Sequence, residues 1–185
     1  MASNWSQDVF VKAWDFATLA HHGQTYGGPL EGQKFDYINH IGSVVMELIW
    51  ALNNTPAADG NLAIQCALLH DTIEDTSVTY EEILLTFGEN VAKGVQALTK
   101  NEQLPTKHEQ MLESLARIKM QPAEVWMVKL ADRITNLSAP PFYWTKEKKI
   151  KYRDEALLIH SELYTANSFL SERLISRIDS YQNYI

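Results

Sequence analysis

Cysteine is nearly absent: Cys66 stands alone in a chain of 185 residues. No internal disulfide can form, four-thiolate zinc sites are excluded, and the chain suits a reducing compartment. Basic residues are also short, with 16 Lys and Arg against 23 Asp and Glu and a formal net charge of −7. General nucleic-acid binders need a basic surface to displace counterions from phosphates, so no nucleic-acid partner is expected. A small anionic substrate stays compatible, because a metal and a few lysines make one locally positive pocket. No apolar run approaches the roughly 18 residues that span a bilayer, and MASNWSQDVF lacks the basic-then-apolar layout of a secretory leader. The expectation is a cytoplasmic protein with no membrane partner. Internal repeats, linkers and low-complexity tracts are missing as well.

Hydrophobic residues make up 45% and charged residues 21%, ordinary values for a globular protein, and the length suits a single domain over residues 1–185. Apolar positions recur at helical spacing and no segment sustains period-two alternation, so the reading is all-α with about eight or nine helices. The first helix is expected over residues 6–22, capped by Ser6 and stopped by Gly23. GQTYGGPLEGQKFD, with four of the eight glycines, reads as a loop. A second helix follows from Asn39 and His40, and a third covers residues 61–71. Gly88 closes a short amphipathic helix capped by Ser77 or Thr79. Another covers residues 89–98. Pro105 opens the next, with Met111, Leu112, Leu115 and Ile118 inward. PAEVWMVKLADRITNLS forms one more, and two follow Pro140 and Pro141, ending in SYQNYI, which reads as a frayed end.

The chemistry concentrates in CALLHDTIEDT, residues 66–76. His70 and Asp71 close an apolar segment, and Glu74 and Asp75 follow one turn later; if the helix continues, His70 sits under Glu74 and Asp71 under Asp75. Carboxylates buried this close together need a positive charge among them, and a divalent cation fits. Two more candidates lie elsewhere. His40 starts a helix, where a lone histidine is more often a cap or core residue. Asp132 interrupts an apolar helix together with Lys129, Arg133 and Asn136, where an aspartate is more often half of an ion pair. Taken together, two imidazoles and two carboxylates suit manganese, iron or zinc with open positions for water and substrate.

The order H…HD…D, with the central HD followed by xxED, resembles the HD-domain metal-dependent phosphohydrolases. AHHGQ at residues 20–24, YINH at 37–40, LLHDTIEDT at 68–76, LTKN at 98–101 and VKLADRITNL at 128–137 are similar to the hydrolase domain of RelA/SpoT-type enzymes. The small single-domain alarmone hydrolases, metazoan SpoT homologues among them, match in size, and the resemblance covers about residues 5–165. It implies removal of the 3′-pyrophosphate from guanosine tetra- or pentaphosphate with manganese, or another divalent metal, as cofactor. By position, His40, His70, Asp71 and Asp132 would be the ligands. Glu74 and Asp75 would position and deprotonate the attacking water, since repulsion between neighbouring carboxylates raises one pKa. Asn136 would contact the nucleoside, and Lys129 and Arg133 would orient phosphate oxygens or serve as structural ion pairs.

The glycine-rich stretch departs from that family. Gly23 and Gln24 are usually followed by an arginine that stacks on guanine and a lysine that binds phosphate; Tyr26 and Gly27 stand at those positions. The loop before Tyr37 is longer, and Ile41 replaces a proline. Tyr26 offers an aromatic face instead, and Lys34 a charge, so Gln24, Tyr26 and Lys34 join the candidate substrate contacts. Three readings remain: a guanosine tetraphosphate hydrolase, an HD phosphatase for another nucleotide, and an inactive nucleotide-sensing HD module. A homodimer stays open.

Overall fold

The computed structural model describes residues 4–185. Among these residues the chain forms ten α-helices, nine of them longer than one turn, and one short hairpin, in agreement with the all-α expectation. The helices are α1 Gln7–Ala20, α2 Ile38–Leu52, α3 Gly60–Leu69, α4 Thr72–Asp75, α5 Tyr80–Phe87, α6 Glu89–Leu98, α7 Lys107–Lys119, α8 Ala123–Asn136, α9 Lys146–Leu163 and α10 Ser168–Tyr181.

Helix α3 is the centre. Eight of its ten residues are buried, Leu62 to Ile64 and Cys66 to Leu69 among them, because α1, α2, α6 and α8 pack around it. A helix apolar all round belongs inside. Each fully buried leucine or isoleucine contributes about 1.5–3 kcal/mol, so α3 is fixed in place by its own composition. Closeness is set by Gly94 on α6: a Cβ there would lie 2.6 Å from Cys66 Sγ and 3.0 Å from Val125 Cγ2, so only glycine permits this approach.

Helix starts follow side-chain caps. Asp59, Thr145 and Asn167 each accept a backbone N–H of the first turn, and Thr79 with Glu82 and Thr106 with Glu109 form full capping boxes. One expected cap lacks its side-chain bond and one expected start shifts. Ser6 occupies the cap position of α1 without a side-chain bond, and its amide instead donates to Asn61. Thr106, not Pro105, opens α7.

Four further details differ from the sequence reading. The glycine-rich stretch is an antiparallel hairpin, β1 Thr25–Gly27 and β2 Lys34–Asp36, with Tyr26 opposite Phe35; three-residue strands are too short to show alternation. Helix α3 stops at Leu69, where the Thr72 hydroxyl takes the Leu69 carbonyl at 2.7 Å, leaving His70 and Asp71 in the turn before α4. Leu112 faces outward, because Met111, Ser114, Leu115 and Ile118 make the inner stripe of α7. The C-terminal segment is packed, not frayed: Tyr181 is fully buried and the Lys149 ammonium donates to the Tyr184 carbonyl.

Candidate active site

Three packed helices bring the ligand candidates together. His40 lies in the first turn of α2, His70 follows α3, Asp71 precedes α4, and Asp132 lies on α8. One ligand atom each from His40, His70 and Asp132 falls within a 4.8 Å group, and all three residues are buried. Asp71 stands outside that set of three but touches both imidazoles, its Oδ2 being 3.0 Å from His70 Nε2 and 3.7 Å from His40 Nε2.

The donor set fits a divalent metal. His70 Nδ1 lies 2.8 Å from the Ala67 carbonyl, which can only accept, so Nδ1 carries a proton and Nε2 turns toward Asp71 and Asp132. That buried Nε2 makes no well-aligned hydrogen bond even though Asp71 Oδ2 lies 3.0 Å away, and a metal would satisfy both. Without metal the two carboxylates act on the His70 imidazole. Burial alone would lower the His70 pKa, but Asp71 and Asp132 outweigh it and raise it to about 9. Burial likewise opposes ionisation of Asp71 and Asp132. The histidines overcome it for Asp71, and Lys129 with the histidines for Asp132, so both carboxylates stay below their usual range.

Glu74 and Asp75 line the same cavity but have different surroundings. Glu74 is pinned, with Oε1 2.7 Å from the Lys100 ammonium and Oε2 accepting the Lys100 backbone N–H at 2.9 Å. Burial alone would lower the Lys100 ammonium pKa, but Glu74 outweighs it and the lysine stays charged. Asp75 as a whole is exposed, yet local desolvation of its carboxyl and the nearby Asp71 charge push its pKa upward. The Tyr37 hydroxyl reaches both Asp71 Oδ2 and Asp75 Oδ2. Tyr37 and Lys100 sit inside the quoted motifs YINH and LTKN, but nothing in their spacing announced a role; only the fold brings them to the carboxylates.

The remaining candidates divide. Lys129 pairs with Asp132 at 3.2 Å and Asn136 donates to its Oδ1, so both hold this carboxylate from its own helix. Arg133 is buried over the Tyr152 ring, its guanidinium carbon 4.1 Å from the centroid. Tyr26 lines the cavity with its hydroxyl accepting from Asn39 at 2.6 Å. Gln24 does not reach the cavity; it bridges His21 Nδ1 and the Asp75 carbonyl, clamping the hairpin base to α4. Lys34 lies outside as well, on the exposed second strand. The cavity measures about 770 Å³ and extends to Tyr143, Trp144, Lys148 and Arg177. That is roomy enough for a nucleotide.

Comparison with known proteins identifies the family. The HD domain model matches residues 13–168. The chain is 32% identical to guanosine-3′,5′-bis(diphosphate) 3′-pyrophosphohydrolase MESH1 of Danio rerio over 173 residues, covering 91% of this chain and 92% of that one. It is 32% identical over 168 residues to the protein of the same name from Homo sapiens, covering 89% of each. Among solved structures, a metazoan SpoT orthologue described as hydrolysing ppGpp superposes with a TM-score of 0.80 at 24% identity, over 98% of this chain and 99% of that one, which speaks for the fold. A matching order of motifs, a shared helical architecture and similarity along nearly the whole length lead to one conclusion: the chain belongs to the HD domain family, beside the MESH1 pyrophosphohydrolases.

Proposed function

We propose that this protein hydrolyses guanosine tetra- or pentaphosphate at its 3′-pyrophosphate, taking one water and releasing GDP or GTP and pyrophosphate. The observation that carries this reading is the meeting of His40, His70 and Asp132 in one buried group, with Asp71, Glu74 and Asp75 beside it, in a relative of enzymes named for that reaction. His40, His70, Asp71 and Asp132 would hold manganese or another divalent ion. When bound, the ion would supply Lewis-acid charge at the scissile phosphate and make water more acidic.

The protein's own groups do the rest. Asp75, its carboxyl pKa raised by local desolvation and the Asp71 charge, takes the proton of the attacking water. Glu74, held at both oxygens by Lys100, orients that water. Tyr37 keeps Asp71 and Asp75 aligned. Lys129 and Asn136 fix Asp132, with Asn136 at the cavity wall to meet the nucleoside. Tyr26, its ring fixed through Asn39, provides a stacking face for the base. Gln24 supports this wall from behind, and Lys34 sits too far out on the hairpin to share the work of the cavity.

A second reading, an HD phosphatase for another nucleotide, draws on Tyr26 and Gly27 at positions where the family usually carries arginine and lysine. We assign residues 1–185 to one HD unit, on the strength of one cluster of buried core residues among those described, and a cytoplasmic setting, on the strength of a lone, buried cysteine with no partner for an internal disulfide. No described helix is long and apolar enough to cross a membrane. Purified protein incubated with ppGpp and manganese, beside an EDTA-treated control, tests the reaction by ion-exchange chromatography. GDP and pyrophosphate should appear only with metal; intact ppGpp beside a metal-loaded site would turn the assignment to the second reading.

A further inference from the structure

The cavity wall built from α8, α9 and α10 holds more positive charge than its own carboxylates answer. Arg133, Lys148 and Arg177 all line it. Glu155 is 3.4 Å from an Arg133 amino nitrogen, while Glu47, which lines the cavity from α2, is committed to Arg173 through two bonds of 2.6 and 2.9 Å. Arg177 makes no hydrogen bond or ion pair among the described residues, and its Nε is buried without a partner. Arg133 is 4% exposed, yet its Nε is likewise buried and unpaired. Its two amino groups reach the Tyr152 carbonyl and Glu155 only at 3.4 Å, the weak end of hydrogen bonding.

Buried donors are almost always paired, and leaving one unmade is costly. Two guanidiniums line one cavity wall, each with an unpaired buried Nε–H and no short ion pair, and with a lysine nearby they suit a multivalent oxyanion able to accept from planar forks. We propose that Arg133 and Arg177 form an anion subsite that takes a phosphate group of the substrate other than the one cleaved. Resting on the reaction proposed above, that group is the 5′-diphosphate of the guanosine, with the 3′-pyrophosphate at the metal centre. The substrate class is then a nucleotide phosphorylated at both ends, and one carrying phosphate at the 3′ end alone is held less tightly. Nothing in the spacing of the sequence joins residue 177 to the catalytic motifs; the packing of α10 on α8 does.

The test uses metal-loaded protein and two measurements. In equilibrium binding, GDP should bind the wild type more tightly than guanosine, and Arg177→Gln should reduce that preference about 10- to 100-fold while guanosine binding holds. In steady-state kinetics, Arg177→Gln should raise KM for ppGpp with kcat little changed, and leave the constants for guanosine 3′-diphosphate unaltered. Arg177→Lys keeps the charge without the fork and should fall between. Equal GDP and guanosine affinities in the wild type, or an Arg177→Gln effect that is the same for both ligands, would overturn the subsite. A GDP preference lost in Arg177→Gln without any turnover of ppGpp would keep the subsite and remove the reaction.

Discussion

The Tyr37 hydroxyl lies 2.6 Å from Asp71 Oδ2. A phenol has one proton, and this shorter contact marks Asp71 as its acceptor, with Asp75 Oδ2 second at 3.0 Å. Burial and the two carboxylates push the Tyr37 pKa far upward, so the group remains a donor throughout the pH range of the folded protein. The His21 ring stacks on Tyr37 with centroids 4.8 Å apart and limits its movement.

Tyr37→Phe therefore removes the hydrogen bond that sets the orientation of Asp71 while keeping the ring and its packing. Loss of a partner behind a ligand costs about 10–100-fold in metal affinity or activity. Manganese titration by calorimetry should show weakening of that size with the thermal midpoint shifted only slightly; unchanged affinity and turnover would remove Tyr37 from the site.

With His70 as a proposed metal ligand, proton and metal compete for its imidazole. In the metal-free protein Asp71 and Asp132 hold its pKa near 9, against about 6.5 for an unfolded histidine. A group with a raised folded pKa contributes stability that is present below pH 6.5 and lost as pH climbs through about 9. Metal needs the neutral imidazole, so its binding expels that proton and its apparent affinity should rise about tenfold per unit between pH 6.5 and 8.5. Thermal melts should thus show the metal-free protein losing the His70 contribution as pH rises, while the gain from a fixed manganese concentration grows. A gain independent of pH would mean that His70 is not displaced from a proton by metal.

Asp75 and Glu74 should separate by mutation. Asp75→Asn removes the proposed proton acceptor and should lower kcat about 10²–10⁴-fold with metal content unchanged. Lys100→Met leaves Glu74 with only the Lys100 backbone N–H, so kcat should fall by a smaller factor and recover in part in Lys100→Arg. Metal analysis beside steady-state kinetics reads both. If Asp75→Asn turns over at the wild-type rate, another group takes the proton.

The helices and the metal-ligand candidates were legible because each rests on local pattern: the apolar spacing of α2 and α8, and the HD pair at the end of an apolar helix. Features that depend on distant packing were hidden. Whether Lys100 would pair with Glu74 depends on how α6 leaves α3, and whether Lys34 would reach the cavity depends on a hairpin whose strands are three residues long. Gln24 illustrates the same limit. Its place beside the site was readable in AHHGQ, but its amide is taken up by His21 and the Asp75 backbone and does not line the cavity.

Gly94 couples the core to the site. In a helix interior, Gly→Ala by itself gains up to about 1 kcal/mol from propensity. Here the added Cβ would stand 2.6 Å from Cys66 Sγ, on the helix that leads into His70, and 3.0 Å from Val125 Cγ2, on the helix that carries Asp132. Overpacking of this kind costs about 1–3 kcal/mol, so Gly94→Ala should be destabilising in urea denaturation despite its better propensity. Cys66→Ala removes the sulfur and leaves the Cys66 Cβ 4.0 Å away, which is ordinary contact. The double variant should therefore be more stable than Gly94→Ala alone, a coupling that independent sites would not show. Because α3 and α8 hold His70 and Asp132 within one ligand group, the single variant should also bind manganese more weakly, and the double variant should recover affinity along with stability. Simple additivity of the two substitutions would show that the close approach at Gly94 does not set the spacing of these helices.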